Sequence, residues 1–474
     1  MPQTVAASRP LQKTPFIHSR GESMPNILLQ NATIVTLNDS DDILTEASLA
    51  ISDDRIAAIG ETPADFRPDE VIDLSGKIVT PGLYNAHTHA AMVFSRGYAE
   101  DMPLDRWFNE GIWKLESALT PEMVRWGVRL AMIEMIRGGV IGFADHYFYM
   151  DEVAQAVIES GMRANLAWAV FGHEGGEVGV TVPETVDFVR RYSGAANGRL
   201  RAMFGPHSPY LCSDEFLART AAVAVREGIG IHIHAAETAG QVEASLAEYD
   251  MTPIELLHDR GLFETHTIVA HAIHSNPIDI AILASSDVNV AHCPSTHLRY
   301  AMGVTPVPEM LAEGVNVALG TDGAGSSVAY NLWREMRLAV VMQRQARNDP
   351  EALGGLTPLR MAARNGARAL NFRESGVLAP GYQADLIVID AAQPHYQPVH
   401  SVAAALVWST EPADVQDVMV AGRWLMRDRR LLTLNEAEIL ERFDEALAEM
   451  MAKPLAQFKK YEVDESGSEI DHKF

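Results

Sequence analysis

Lysine is nearly missing from this chain. It occurs only at Lys13, Lys77, Lys114, Lys453, Lys459, Lys460 and Lys473, so none lies between residues 115 and 452. That gap excludes any mechanism that draws a lysine from the middle of the chain, whether a Schiff base or a carboxylated lysine bridging two metal ions. Cysteine is scarcer still. Cys212 and Cys293 are too few for a disulfide framework and have no metal-site spacing, and free thiols fit a reducing cytosol. Positive charge is also short: 38 Lys and Arg against 63 Asp and Glu leave a formal charge of −25. So acidic a surface repels phosphate backbones and offers an anionic membrane no basic patch, so neither nucleic acid nor membrane is expected as a partner. No apolar run reaches the roughly 20 residues that span a bilayer. Residues 1–23 lack the apolar core of a secretory signal. They read as a disordered leader, with Met24 as the natural start, patterned sequence from Asn26 and a cytoplasmic location as the expectation.

What remains is ordinary globular material, with 47% hydrophobic residues over 474 positions, enough for one large domain with an appendage. Residues 27–37, 46–60 and 70–80 read as short strands with hairpin turns such as Asp53–Asp54. From about residue 80, apolar β-branched runs alternate with helical stretches. Eight candidate strands stand out, at 77–84, 139–144, 164–170, 199–204, 230–235, 267–271, 288–292 and 315–320, with amphipathic helices such as 122–137 and 215–227 between them. Eight βα units imply an α/β fold, a (β/α)8 TIM barrel. The rival, a doubly wound open sheet, would be expected to carry an early Gly-rich phosphate loop, and none is present. After a helix at 358–370 strands return at 375–390, 404–410 and 415–428, and they are expected to join residues 26–80 in one β-sandwich. The division reads as a leader (1–24), the N-terminal half of the sandwich (25–80), the barrel (81–374), the C-terminal half of the sandwich (375–430) and a C-terminal helix with a polar tail (431–474).

Chemistry-bearing residues fall at the expected strand ends. His87 and His89 sit in PGLYNAHTHAA, and residues i and i+2 of a strand share a face, so two imidazoles there can hold one ion. His234 ends the fifth strand, His271 the sixth, and Asp322 follows the eighth. A TIM barrel opens all these ends onto one mouth. His87, His89 and His234 offer three neutral nitrogen donors, and Asp322 a carboxylate able to ligate and to accept a proton from water. That is the donor set of one catalytic divalent ion, zinc foremost. Glu237, three residues beyond His234, is the candidate proton shuttle, and His271 the candidate hydrogen-bond partner of the nucleophile. The plainer alternatives are that Glu237 sits at a helix N-terminus and that Asp322 forms a turn with Gly323. His232 shares the face of His234 and is a rival ligand one layer deeper. His146 and His274 read as supporting residues, and His173 as a loop residue.

The combination PGLYNAHTH, HIHAAET, AHAIH and LGTDGA, with GVLAPGYQADLIVID near the C-terminus, resembles the amidohydrolase superfamily over residues 26–430. Within it, GPHSPYLCS (205–213) and RGYAEDMPLDRW (96–107) are similar to the branch of S-adenosylhomocysteine/methylthioadenosine deaminases and triazine hydrolases. The resemblance implies one metal ion, usually zinc and sometimes iron, on His87, His89, His234 and Asp322, with Glu237 transferring protons and His271 beside the nucleophile. It further implies that Glu116 holds ribose hydroxyls, that His207 seats the nucleoside, that Trp107 lines the pocket, and that the enzyme is a homodimer or larger. Two loops depart from the branch: His292–His297 reads HCPSTH where HNPxSN is usual, and Asp322–Val328 reads DGAGSSV. Trp168 also stands where a polar substrate contact is expected. The activity implied is hydrolytic deamination of an aminated purine or nucleoside such as methylthioadenosine, S-adenosylhomocysteine or adenosine. The alternatives are an s-triazine chlorohydrolase or aminohydrolase, a guanine- or pterin-type deaminase, and a non-catalytic scaffold.

Overall fold

In the computed structural model, which describes residues 24–453 except 174 and 175, eight parallel strands form a nearly closed barrel. They are β1 (Leu83–Thr88), β2 (Val140–Tyr147), β3 (Arg163–His173), β4 (Leu200–Pro206), β5 (Gly230–Ala235), β6 (Thr267–His271), β7 (Asn289–His292) and β8 (Asn316–Leu319), hydrogen-bonded in that order. The leader and the polar tail lie outside the described residues. Because helices cover the barrel outside and side chains fill it inside, the strands are buried on both faces, mostly apolar but with polar residues among them. Closure between β8 and β1 is made by single bonds rather than a ladder. The Asp322 amide donates to the His87 carbonyl at 2.9 Å. Asn85 accepts from the Thr321 amide at 2.9 Å and donates to its hydroxyl at 2.7 Å.

The flanks meet in a second sheet. Nine strands, mixed in direction and drawn from both ends of the chain, enclose an apolar core built from residues such as Leu29, Ile34, Leu49, Leu386 and Val388. The boundary between the sheets corrects the expected first barrel strand. Lys77–Pro81 pairs with Leu386–Asp390 in the flanking sheet, and the barrel strand starts only at Leu83. Gly82 makes the crossing. A Cβ there would lie 2.5 Å from the Ile141 side chain, so only glycine lets the chain pass so close to β2.

Three further readings change. The segment 404–410, expected as a strand, is helical over Val402–Ala404 and Ala405–Ser409, with the Ser401 hydroxyl capping the Ala404 amide at 3.2 Å. The helix expected at 358–370 is broken at Ala363 into Thr357–Ala362 and Arg364–Ala369. His173 ends β3 rather than lying in a loop, and its backbone pairs with Gly176 in a hairpin that carries β3 beyond the barrel. Elsewhere helix starts follow local rules. Thr120 caps Pro121–Arg137 and Ser213 caps Asp214–Glu227 through their hydroxyls, each a residue or two ahead of the expected start.

A buried ion pair ties barrel to flanking sheet. Arg163 of β3 grips Asp385 through Nε at 2.7 Å and a terminal nitrogen at 2.9 Å. Tyr84, Ser375 and the Ala421 amide donate to the same carboxylate. Burial opposes the charge on Asp385, but the Arg163 guanidinium holds its carboxyl below the usual range. Arg163→Met strands that carboxylate in a dry interior. Its denaturation midpoint should fall by the equivalent of about 3–5 kcal/mol, and a change below about 1 kcal/mol would show that the pair contributes little.

Candidate active site

The barrel's C-terminal mouth gathers the histidines into one cluster. His87 is the penultimate residue of β1, His234 of β5, and His271 ends β6. His89 lies one residue past β1, and Asp322 three past β8. Ligating atoms of His87, His89 and Asp322 lie within 4.8 Å of one another, as do those of His87, His234 and His271. The shared member, His87, is fully buried, and its Nε2 has no hydrogen-bond partner although it lies 3.5 Å from the Asp322 carboxylate. His89 Nε2 is 3.2 Å from the same oxygen.

Each imidazole is held from behind, so its inner nitrogen is committed to the cluster. His89 Nδ1 donates to the His146 carbonyl at 2.5 Å and His234 Nδ1 to the His207 carbonyl at 2.8 Å. His87 Nδ1 shares a proton with His232 at 2.9 Å, and His271 Nδ1 with His297 at 3.1 Å. A carbonyl on Nδ1 fixes the tautomer whose Nε2 lone pair faces inward, as metal-binding histidines require. The donor set thus fits a divalent metal ion. Burial pushes His87 down to about 4 and His207 to about 3, and takes His234 well below its ordinary value, so all three are neutral. Burial also acts against charge on His89, but the Asp322 carboxylate overrides it and holds that ring up at about 9. A cation taken up there displaces that proton.

The backbone bends to present these groups. Ala236, His271 and Asp322 all take left-handed conformations, with φ of 51°, 76° and 65°. Such strain, about 1–3 kcal/mol at a non-glycine residue, clusters here at three strand ends facing one cavity. The turn reading of Asp322 is therefore partly met: it does turn the chain, but its side chain points to the histidines and accepts from Thr296 at 3.0 Å.

Glu237 lies in the cavity wall. Its Oε2 accepts from the Tyr210 hydroxyl at 2.7 Å, and its Oε1 is 3.6 Å from His271 Nε2. Glu116 and Trp107 line the same cavity, as does His207, whose ring stacks on His234 at 4.5 Å. Burial pushes the Glu116 carboxyl up to about 7, against the hydrogen bond that Tyr147 donates at 2.6 Å. The buried indole N–H of Trp107 has no partner among the described residues. Trp168 is not in the cavity. Strand alternation turns Ala169 and Phe171 inward and leaves Trp168 packed edge-on against Phe188 at 5.3 Å. His232 backs His87 instead of joining the cluster, and His274 donates to the Met302 carbonyl at 2.8 Å.

Some participants carried no signal in the sequence reading. Tyr210 lay inside the motif 205–213 with no role attached, and Tyr147, Phe148 and Phe171 lay just past the expected ends of the second and third barrel strands. The departing loop at His292–His297 contributes Thr296 to the cavity and His297 to the back of His271. His271 itself comes within ligating reach of His87 and His234.

Comparison with known proteins agrees with this arrangement. The amidohydrolase family matches residues 78–425. A 5-methylthioadenosine/S-adenosylhomocysteine deaminase from Pelotomaculum thermopropionicum is 43% identical, over 88% of this chain and 97% of its own length. A 5′-deoxyadenosine deaminase from Methanosarcina acetivorans is 40% identical, over 91% and 99%. Among solved structures, an adenosine deaminase from Xanthomonas campestris with bound zinc superposes with a TM-score of 0.85 at 29% identity, covering 90% of this chain and 99% of that one. With a barrel built to gather histidines and an aspartate at its mouth, and relatives matched nearly end to end, this chain belongs to the amidohydrolase family and is a metal-dependent hydrolase.

Proposed function

We propose that this enzyme removes the exocyclic amine of a 5′-modified adenosine by hydrolysis, with a single zinc ion held by His87, His89, His234 and Asp322. The observation that carries the reading is Glu237: a carboxylate set by Tyr210 on the cavity wall, facing His271 and the donor cluster. Bound there, such a cation supplies Lewis acidity and lowers the pKa of water toward about 7. The chain's own groups do the rest. Glu237, starting as the carboxylate, takes one proton from the attacking water and delivers it to the ring nitrogen. Asp322 takes the water's second proton, and Glu237 passes that one to the departing amine, which leaves poorly unless protonated. His271 orients the water's oxygen. In balance, the oxygen bonds to the ring carbon, the carbon–nitrogen bond breaks, and the two water protons end on the ring nitrogen and on ammonia. Zinc nucleobase deaminases apply the same logic on another fold.

Glu116 accepts from the ribose hydroxyls, His207 packs against the nucleoside, and Trp107 closes the far wall with its free N–H. The same reading makes the protein a cytoplasmic homodimer or larger assembly. Among the described residues no helix is long and apolar enough to cross a membrane.

The test is ammonia release by zinc-loaded enzyme from methylthioadenosine, S-adenosylhomocysteine, 5′-deoxyadenosine, adenosine, guanine and an aminated s-triazine. Turnover of at least one adenosine is expected. Release only from the triazine or from guanine would overturn the reading.

A further inference from the structure

The adenosines named by this chain's relatives differ at the 5′ end. One carries a bare methyl, one a methylthio group, and one a thioether that continues into a charged amino acid. The cavity lining includes three carboxylates, Glu116, Glu237 and Asp322, and no lysine or arginine among the described residues. Beyond the groups assigned to the ring and the ribose, its walls are mostly apolar, with aromatic side chains beside Met92, Leu104, Ile112 and Ala169. Phe148 stacks on Phe171 at 6.2 Å, and Phe171 on His207 at 5.0 Å. In the same lining Trp107 meets Phe108 at 4.8 Å, and Phe108 meets Trp113 at 5.5 Å.

Cations stand near the cavity but are turned elsewhere. Arg106, next to Trp107, is gripped by Glu110 through two nitrogens at 3.0 and 2.8 Å. Arg299 is held by Glu100 and by the carbonyl of Ser326. Lys114 sits on the short helix of Trp113 and Glu116 but does not line the cavity.

We propose that this cavity selects adenosines whose 5′ substituent is small, apolar and uncharged, and rejects those ending in an amino acid. The proposal rests on the deaminase reading above and deepens it. An α-carboxylate drawn into this space loses its water, meets no lysine or arginine of the lining, and shares the cavity with other carboxylates, which is costly for any buried charge. A methyl or methylthio group instead buries apolar surface against aromatic faces, and a sulfur gains contact with them as well.

The experiment compares kcat/KM for methylthioadenosine, 5′-deoxyadenosine, adenosine and S-adenosylhomocysteine on one zinc-loaded preparation. Binding of the same four is measured by calorimetry on the slow variant Glu237→Gln. The two apolar substrates are expected to exceed S-adenosylhomocysteine by at least about 100-fold in kcat/KM, with the same order in affinity, as differential binding of a charged against an apolar group requires. Values within about tenfold, in rate and in affinity, would overturn the selection while leaving the deaminase reading intact. If no adenosine is turned over or bound, the deaminase reading itself fails and the selection falls with it.

Discussion

Glu237→Gln is expected to cut ammonia release by about 10²–10⁴-fold in kcat, to leave the metal content at its wild-type level and to change KM little. The size is that of a positioned acid–base group, and the reason is local. The amide keeps the shape of the carboxylate and can still meet the Tyr210 hydroxyl, which sits 2.7 Å from Oε2. It cannot deliver a proton to a ring nitrogen or to a departing amine. Because Glu237 is no part of the donor cluster formed by His87, His89, His234, His271 and Asp322, the metal should stay. Metal content is what separates this outcome from simple damage to the site. Tyr210→Phe provides a graded comparison. It keeps the carboxylate and removes the hydroxyl that positions it, so kcat should fall, but by less than in Glu237→Gln. Unchanged kcat in Glu237→Gln would remove Glu237 from proton transfer, and loss of metal would make it part of the cluster.

The sequence exposes this protein unevenly, for physical reasons. Barrel strands show because they are buried on both faces, so most are compact, largely apolar runs between helices. The same burial hides which sheet a run belongs to. Lys77–Pro81 and Leu83–Thr88 follow one another with only Gly82 between them, yet they pair with Leu386–Asp390 and Val140–Tyr147 respectively. Only the close approach of Gly82 to Ile141 separates them. The segment around Leu406–Trp408 misleads in another way: apolar, β-branched and aromatic, it favours a strand, and tertiary context winds it into a helix. At the site, His87, His89, His234 and Asp322 can be picked out one by one as residues at strand ends. What holds them cannot. The carbonyls of His146 and His207 and the rings of His232 and His297 come from neighbouring strands and loops, and a hydrogen bond across strands leaves no spacing along the chain. Trp168 shows the cost of ignoring period two, because its neighbours Ala169 and Phe171 take the inward face and Trp168 the outer one.

The second large effect concerns His234 and its neighbour two residues earlier, which share a face in sequence and separate in space. His234 lies 4.8 Å, ring to ring, from His87 and 5.4 Å from His89, with its Nδ1 committed to the His207 carbonyl. His232 lies deeper, its Nε2 spent on His87 Nδ1 at 2.9 Å. His234→Ala therefore deletes a donor. Bound metal should drop well below one ion per chain, and kcat/KM should fall by at least about 10³-fold, since the lost Lewis acidity stabilises the transition state by several kcal/mol. His232→Ala deletes only a backing contact, for which about 10–100-fold in metal affinity or activity is the usual cost, recoverable in some measure by raising zinc. Elemental analysis and zinc titration of both variants, with circular dichroism to show that each is folded, give the ranking. The reverse order, with His232→Ala stripped of metal and His234→Ala still loaded, would move the ligand one layer down the barrel. That outcome would also displace Glu237 from the reacting carbon, because Glu237 reaches the cavity from the end of β5 just beyond His234.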